Sequence, residues 1–227
     1  GALLRHLFNR KGTCVLVHSL RSAVETLPRA KRPEDLARLN AIIQHDVRRL
    51  DRLISDISNA SRLDAELARE SSERVDVEKL TEAIVSMHND MSADRAVTVE
   101  MAKRVGRGAA VVNGHESRLA QVFSNLIDNA VSFSPEGGVV RLALSTDADD
   151  ITVTVTDEGR GITGNASRIF QRFYTDRPDN ESFGDHSGLG LSISKQIVEA
   201  HKGSIKAHNR SDRSGAVFSV VLPKARK

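Results

Sequence analysis

An α+β fold, a helical hairpin followed by an α/β sandwich, is predicted by three features of this 227-residue chain. Apolar residues recur three or four apart from Leu36 to Leu67, the stripe of a long amphipathic helix. After Ser71 and Ser72 this period gives way to short runs that alternate between strand and helix patterns. Within that second part Ile151-Thr-Val-Thr-Val-Thr156 alternates strictly, so one face of a strand is buried and the other wet. The length suits one large domain or two small ones. A content of 39% hydrophobic and 28% charged residues is that of a folded chain rather than a disordered one.

Residues 13–28 carry Leu16, Leu20, Val24 and Leu27 at helical spacing, and Pro28 marks the end of that segment. A short basic loop leads to a second helix over residues 33–69. Pro33 suits its first turn, where a missing N–H costs nothing, and Glu34 and Asp35 suit the positive end of the helix dipole. Its stripe is Leu36, Leu39, Ile43, Val47, Leu50, Ile54, Ile57, Ala60, Leu63 and Leu67. The two helices form an antiparallel hairpin, a first domain of residues 1–70. Stripes this long leave apolar surface uncovered, and a second copy would cover it in a dimeric four-helix bundle.

The second domain, residues 71–227, begins with Asp76 capping a helix that runs to about Met91. Val97 to Met101 alternates as a strand, and residues 116–133 form a helix. Ser134-Pro-Glu-Gly-Gly138 turns the chain into strand 139–145, and Asp147 to Asp150 turns it into strand 151–156. The end repeats the theme with helix 188–201, strand 204–208, a turn at Arg210 to Gly215 and strand 216–222. The result is an antiparallel-rich sheet with helices segregated to one face.

The net charge is +3, from 33 basic and 30 acidic residues. Residues 1–70 hold 13 Lys and Arg against 9 Asp and Glu, so the basic excess lies in the first third, where Phe8 is the sole aromatic. A nucleic-acid binder would concentrate basic residues with interleaved aromatics, so nucleic acid is not expected as a partner. Apolar runs such as Cys14 to Val17 fall far short of the roughly 20 residues of a membrane span, and no signal peptide is visible. The single Cys14 can make neither an internal disulfide nor a metal cage. The expectation is a cytoplasmic chain, or the cytoplasmic fragment of a longer one, with no membrane contact of its own.

Four segments of the second domain carry chemistry. Asn125 and Asn129 stand four apart on helix 116–133, so both amides project from one face. Asp157-Glu-Gly159-Arg-Gly161 follows a buried strand directly, placing a carboxylate at a strand end and two glycines where backbone would approach a ligand. Ile169-Phe-Gln-Arg-Phe173-Tyr-Thr-Asp opens a polar, poorly periodic stretch to about Ser187. Gly188-Leu189-Gly190 opens a helix whose free N–H groups could hold phosphate. A carboxylate accepts the exocyclic amine of adenine and would repel the carbonyl of guanine. An Asn oxygen is a hard, neutral ligand for Mg²⁺, and a mobile segment ending in glycines can close over a triphosphate. Each segment alone is unspecific; two Asn residues at this spacing are more often caps or surface amides. Their order and strand–helix setting carry the signal.

These segments resemble the N, G1, F and G2 boxes of the catalytic ATP-binding domain of bacterial two-component sensor histidine kinases. That domain has the Bergerat-type α/β sandwich of the GHKL superfamily, shared with DNA gyrase, Hsp90 and MutL. The resemblance spans residues 71–227. The hairpin before it is similar to the kinases' dimerisation and histidine-phosphotransfer domain. Ser19-Leu-Arg-Ser-Ala-Val-Glu-Thr-Leu-Pro28 and Ile43-Gln-His-Asp-Val-Arg-Arg-Leu-Asp-Arg-Leu-Ile-Ser-Asp-Ile-Ser58 are similar to the alphaproteobacterial envelope- and acid-sensing kinases of rhizobia and Brucella. The resemblance implies ATP and Mg²⁺ as cofactors, with Asn129 as the Mg²⁺ ligand, Asn125 nearby and Asp157 as the adenine reader. Gly159 and Gly161 would form the adenine pocket, Gly188, Leu189 and Gly190 the hinge from lid to helix, and Arg172 a phosphate contact. It also implies a homodimer, transfer of phosphate to a histidine and then to an aspartate of a response regulator, and a cytoplasmic region belonging to an inner-membrane-anchored kinase.

Two departures stand out. The family's basic residue three after the metal-binding Asn is here Ser132. More seriously, the phospho-acceptor motif, a His followed by Glu or Asp, then Thr or Asn and Pro, is missing. Counting back from Ser19, the acceptor position falls on Lys11, within Arg10-Lys-Gly-Thr-Cys-Val-Leu16. His18 lies seven residues further, about 20° short of two full helical turns, and so shares the azimuth of the expected acceptor. It lacks the acidic neighbour that would deprotonate an imidazole, and its bland reading is an exposed helical His. His45 has Asp46 beside it, yet the resembled kinases keep that pair as structure. His6, His88, His115, His186, His201 and His208 show no metal-site spacing, and Cys14 is expected in the helix interface. Two readings follow: a histidine kinase core with a displaced acceptor, or a non-catalytic ATP-binding dimerisation module. An ATPase of the gyrase or Hsp90 type is disfavoured, because those machines lack the hairpin.

Overall fold

The structure is a computed structural model that describes residues 12–30, 32–44, 46–47, 50, 72–91, 97–102, 105–106, 109–172, 174 and 188–226. Its contacts separate the chain into two compact units. One comprises Gly1–Ser61 with Arg172–Leu189, the other Arg62–Gln171 with Gly190–Lys227.

In the first unit, α1 spans Gly12–Thr26 and passes into a short 3-10 turn at Leu27–Arg29. Pro28 sits in the first positions of that turn, so the helix stops two residues before the end expected from its stripe. The chain is helical again over residues 33–44 (α2), where the Leu36 N–H donates to the Arg32 carbonyl at 3.2 Å and Pro33 occupies the first turn as expected. The stripe from Ile54 to Leu67 lies outside the described residues. Its described part is not buried: Leu36 and Val47 are 36% and 42% exposed, and Val17 and Val24 on α1 are 50% and 52% exposed. Val17 and Val24 are seven apart and share one face of α1.

The second unit is the sandwich. Strands β1 (Glu73–Asp76) and β4 (Val111–Gly114) pair antiparallel as a small sheet. The main sheet runs β2 (Thr98–Met101), β5 (Val139–Thr146), β6 (Asp150–Thr156), β8 (Ala216–Pro223), β7 (Ser204–Asn209), with β3 (Val105–Gly106) also on β5. β2 and β3 are parallel to β5, and the remaining pairs are antiparallel. Register aligns alternate residues into rows across the sheet, such as Leu142, Val155, Phe218 and Leu144, Val153, Val220. Leu142, Leu144, Val153, Val155 and Val220 are at most 1% exposed. Against the strands pack α3 (Val77–Met91), α4 (Glu116–Phe133) and α5 (Gly190–Ala200), with α4 and α5 also against each other. Leu119, Val122, Phe123, Leu126 and Ile127 give α4 a wholly buried face.

The Asp76 cap is present: its Oδ1 accepts the N–H groups of Glu78 and Lys79 at 3.1 and 3.2 Å. β1, β3, β4 and the 3-10 turn at Ala166–Phe170 are elements the sequence pattern did not reveal. At two to five residues they are too short to display a period, and β1 (Glu-Arg-Val-Asp) is mostly charged. α5 starts at Gly190 and ends at Ala200, inside the expected 188–201. Lys202 takes the left-handed conformation (φ 60°), and the Gly203 N–H returns to the Val198 carbonyl at 2.9 Å to close the helix.

Candidate functional site

β6 delivers Asp157 to its C-terminal end. The carboxylate is 3% exposed, and its Oδ1 accepts two backbone N–H groups, from Gly159 at 2.9 Å and Ala216 at 3.0 Å. The Asp157 N–H in turn donates to the Ala216 carbonyl at 3.0 Å. With Oδ1 engaged twice and Oδ2 without a hydrogen bond among the described residues, Oδ2 can accept from a ligand. Burial pushes the carboxyl pKa above the usual value, while the two backbone N–H groups and the nearby Arg210 guanidinium oppose the shift.

The two glycines that follow serve needs the sequence pattern did not show. A Cβ on Gly159 would stand 2.7 Å from the Phe133 carbonyl oxygen at the end of α4, so the close approach here is to protein backbone. Gly161 has φ +82°, and a Cβ there would stand 2.8 Å from Asn209 Oδ1. That Asn209 amide accepts the Ile162 N–H at 2.6 Å and donates to the Ile162 carbonyl at 2.9 Å, pairing with the loop as a strand would. Ser214 Oγ donates to the Gly159 carbonyl at 2.7 Å, and Arg210 Nη1 to the Asp157 carbonyl at 3.2 Å. The turn between β7 and β8 thus holds the whole 157–162 loop. Asn209, Arg210 and Ser214 were missed because Asn-Arg-Ser-Asp-Arg-Ser-Gly reads as an ordinary polar turn.

On α4, Asn125 and Asn129 share a face but differ in duty. Asn125 Nδ2 lies 3.4 Å from the Gly190 carbonyl and 3.3 Å from Ser194 Oγ, tying α4 to the first turn of α5. Asn129 is half-buried and its side chain makes no hydrogen bond among the described residues, so its amide oxygen is available as a neutral hard ligand. Gly190 opens α5, which leaves the first N–H groups of that helix without intrahelical partners. Arg172, Gly188 and Leu189 belong to the other compact unit. There Arg172 is exposed, Gly188 has φ +71° and Leu189 is 2% exposed.

His18 is exposed on α1. Lys11, His45, His6 and His186 lie outside the described residues, as does the Cys14 side chain, and Asp46 is buried at 6% exposure. Among the described residues no group of three or more His, Cys, Asp or Glu could hold a metal, and no helix is long and apolar enough to cross a membrane. His115 and His201, distant in sequence, meet. The His115 N–H donates to His201 Nε2 at 3.0 Å, and His201 Nδ1 lies 2.7 Å from the Ile197 carbonyl. Burial lowers the His201 pKa, with a weaker contribution in the same direction from His115, while the Ile197 carbonyl opposes the shift.

A family model described as histidine kinase-, DNA gyrase B- and HSP90-like ATPase matches residues 114–226. The chain is 52% identical over 217 residues to the sensor protein ChvG of Agrobacterium fabrum, covering 91% of this chain and 36% of that protein. It is 49% identical over 215 residues to ChvG of Rhizobium meliloti, covering 90% of this chain and 37% of that protein. The chain thus spans little more than a third of the relatives it matches. Among solved structures, histidine kinase ThkA in complex with the response regulator protein TrrA shares the fold, with a TM-score of 0.68 at 20% identity, covering 95% of this chain and 62% of that one.

Proposed function

Residues 114–226 belong to the histidine kinase-, DNA gyrase B- and HSP90-like ATPases, and on that premise we propose that the chain is the core of a sensor histidine kinase, binding Mg²⁺-ATP in the sandwich unit. The observation that carries this reading is Asp157, buried at a strand end with Oδ1 tied by two backbone N–H groups and Oδ2 left open. A carboxylate fixed in this way suits the amine edge of adenine. The unbonded Asn129 amide suits Mg²⁺, and Asn125 braces the turn that opens α5. Arg172 and the segment Gly188 to Gly190 would serve the phosphate end. When bound, Mg²⁺-ATP supplies the phosphoryl group and neutralises its charge. The hairpin would form a homodimer and offer an imidazole, from which phosphate would pass to an aspartate of a response regulator. The similarity to much longer sensor proteins supports placing this region on the cytoplasmic side of an inner-membrane-anchored kinase.

The acceptor position favours a second reading. It holds Lys11, whose ammonium is protonated near neutral pH and is a poor nucleophile. His18 stands seven residues further, roughly 10 Å along a helix, whereas in-line transfer tolerates only small misplacement. The expected outcome is ATP binding with little or no autophosphorylation, which is the behaviour of a pseudokinase or of a chain with an altered first helix. Calorimetric titration should show Asp157→Ala weakening ATP by about 2–3 kcal/mol; superimposable curves for variant and wild type reject the site. Incubation with labelled Mg²⁺-ATP should leave the wild type without acid-labile label. Strong labelling that disappears in His18→Gln would instead make His18 the acceptor.

A further inference from the structure

The turn between β7 and β8 contains a cation that the nucleotide reading does not use. The Arg210 side chain is only 7% exposed, and it threads past Gly215, where a Cβ would overlap both the Asp157 carbonyl oxygen and Arg210 Cδ. Its Nη1 donates to the Asp157 carbonyl at 3.2 Å. On its outer side Asp212 grips it twice, Nε to Oδ1 at 3.0 Å and Nη2 to Oδ2 at 2.8 Å. A planar guanidinium held by two parallel bonds has little freedom left, so the N–H groups of its Nη1 are aimed. Lysine, a flexible point charge, could not reproduce that aim.

We propose that Arg210 is the positioning residue of the nucleotide pocket: clamped by Asp212 and admitted by Gly215, it fixes the Asp157 backbone and thereby sets the direction of the carboxylate that reads the base. This rests on the reading of Asp157 as the base-reading group. The carboxylate's own bonds restrain only Oδ1, so the orientation of Oδ2 follows from where the backbone of residue 157 is held. Arg210 also places a positive charge beside a carboxyl whose burial disfavours ionisation. The other ionisable groups nearby are already engaged. Glu158 meets Arg213 at 3.3 Å, Arg141 of β5 at 3.8 Å and Arg210 at 3.9 Å, and Arg160 lies over the Phe133 ring at the end of α4. A purely structural arginine would hold the turn together without influencing the protonation of Asp157.

The test titrates ATP into the full 227-residue chain across roughly pH 5–8, for wild type and the Asp157→Asn, Arg210→Gln and Arg210→Lys variants. Arg210→Gln should bind about tenfold more weakly at neutral pH, the size of one charge-assisted hydrogen bond. It should also lose binding at a higher pH than wild type, because without the neighbouring cation the carboxyl protonates sooner. Arg210→Lys keeps the charge and loses the aim, so its affinity falls while its acid limb stays with the wild type. A pH profile of Arg210→Gln that superimposes on the wild type, whatever its melting temperature, overturns the proposal. Asp157→Asn binding as tightly as wild type overturns the base-reading premise and this proposal with it. Should Arg210→Gln not fold, Arg210→Lys and Asp212→Asn decide: affinity undiminished in both overturns the proposal, and weakened affinity with an unmoved acid limb upholds it.

Discussion

The hairpin and the sandwich carry apolar residues with the same helical regularity and treat them in opposite ways. In α4 the stripe is spent within the chain, with Leu119, Val122, Phe123, Leu126 and Ile127 at 0% exposure. In the first unit Val17 and Val24 of α1, Leu36 of α2 and Val47 beyond it remain 36–52% exposed. Among the described residues these positions are left uncovered, which is the condition under which a second copy supplies a partner. The difference teaches that periodicity identifies an amphipathic helix but does not say which molecule covers it.

The largest test of this contrast is Val47→Asp. In an isolated chain the side chain is half in water and the charge costs little. In a four-helix bundle it would be buried without a partner, an effect of about 3–5 kcal/mol. Sedimentation should show a wild-type dimer at micromolar concentration and a Val47→Asp monomer, and a monomeric wild type would remove the inference. Next in size is Leu126→Ala, which empties a wholly buried site and should cost about 2–5 kcal/mol in denaturant unfolding. Val24→Ala, at 52% exposure, should cost well under that in any monomeric state. Similar costs for the two at high dilution would contradict the division.

The smallest effect concerns the pH response of the sandwich. Burial is the main reason that the His201 pKa is lowered, with a weaker contribution from His115. The unfolded chain therefore takes up a proton more readily than the folded one. The associated stability is complete above the unfolded value near 6.5 and is lost as pH falls toward the folded value. The slope should reach at most about 1.4 kcal/mol per pH unit. His201→Gln should flatten that acid slope in melts taken below neutrality. An unchanged slope would mean that His201 is not the group that titrates.

Much of the sandwich was legible because its longer elements announce themselves locally. The helix at Glu116–Phe133 has the expected bounds, and the strand ending at Thr156 runs straight into the carboxylate it presents. Asp76 caps its helix because a short acceptor at that place satisfies orphan N–H groups whatever lies around it. β1 and β4 were not legible, since four-residue strands acquire their identity from each other through the pairing of Glu73 with Gly114 to Asp76 with Val111. The same holds for Asn125 and Asn129. Their spacing placed both on one face, but only packing against Gly190 and Ser194 turned the first into a brace and left the second open.

The sequence by itself determined which residue types stand at which helical or strand positions, because backbone periodicity and capping are decided within a few residues. It therefore placed Asp157 at a strand end and Gly188 to Gly190 before a helix. Tertiary structure alone decided what holds those groups in place. Arg210, Asn209 and Ser214 reach the 157–162 loop from about 50 residues further on, and His201 meets His115 across 86 positions. Hydrogen bonds at such separation depend on strand register and on the absence of a Cβ at Gly159, Gly161 and Gly215. No local pattern encodes them, because each partner is an ordinary turn or loop residue until the sheet brings the two together.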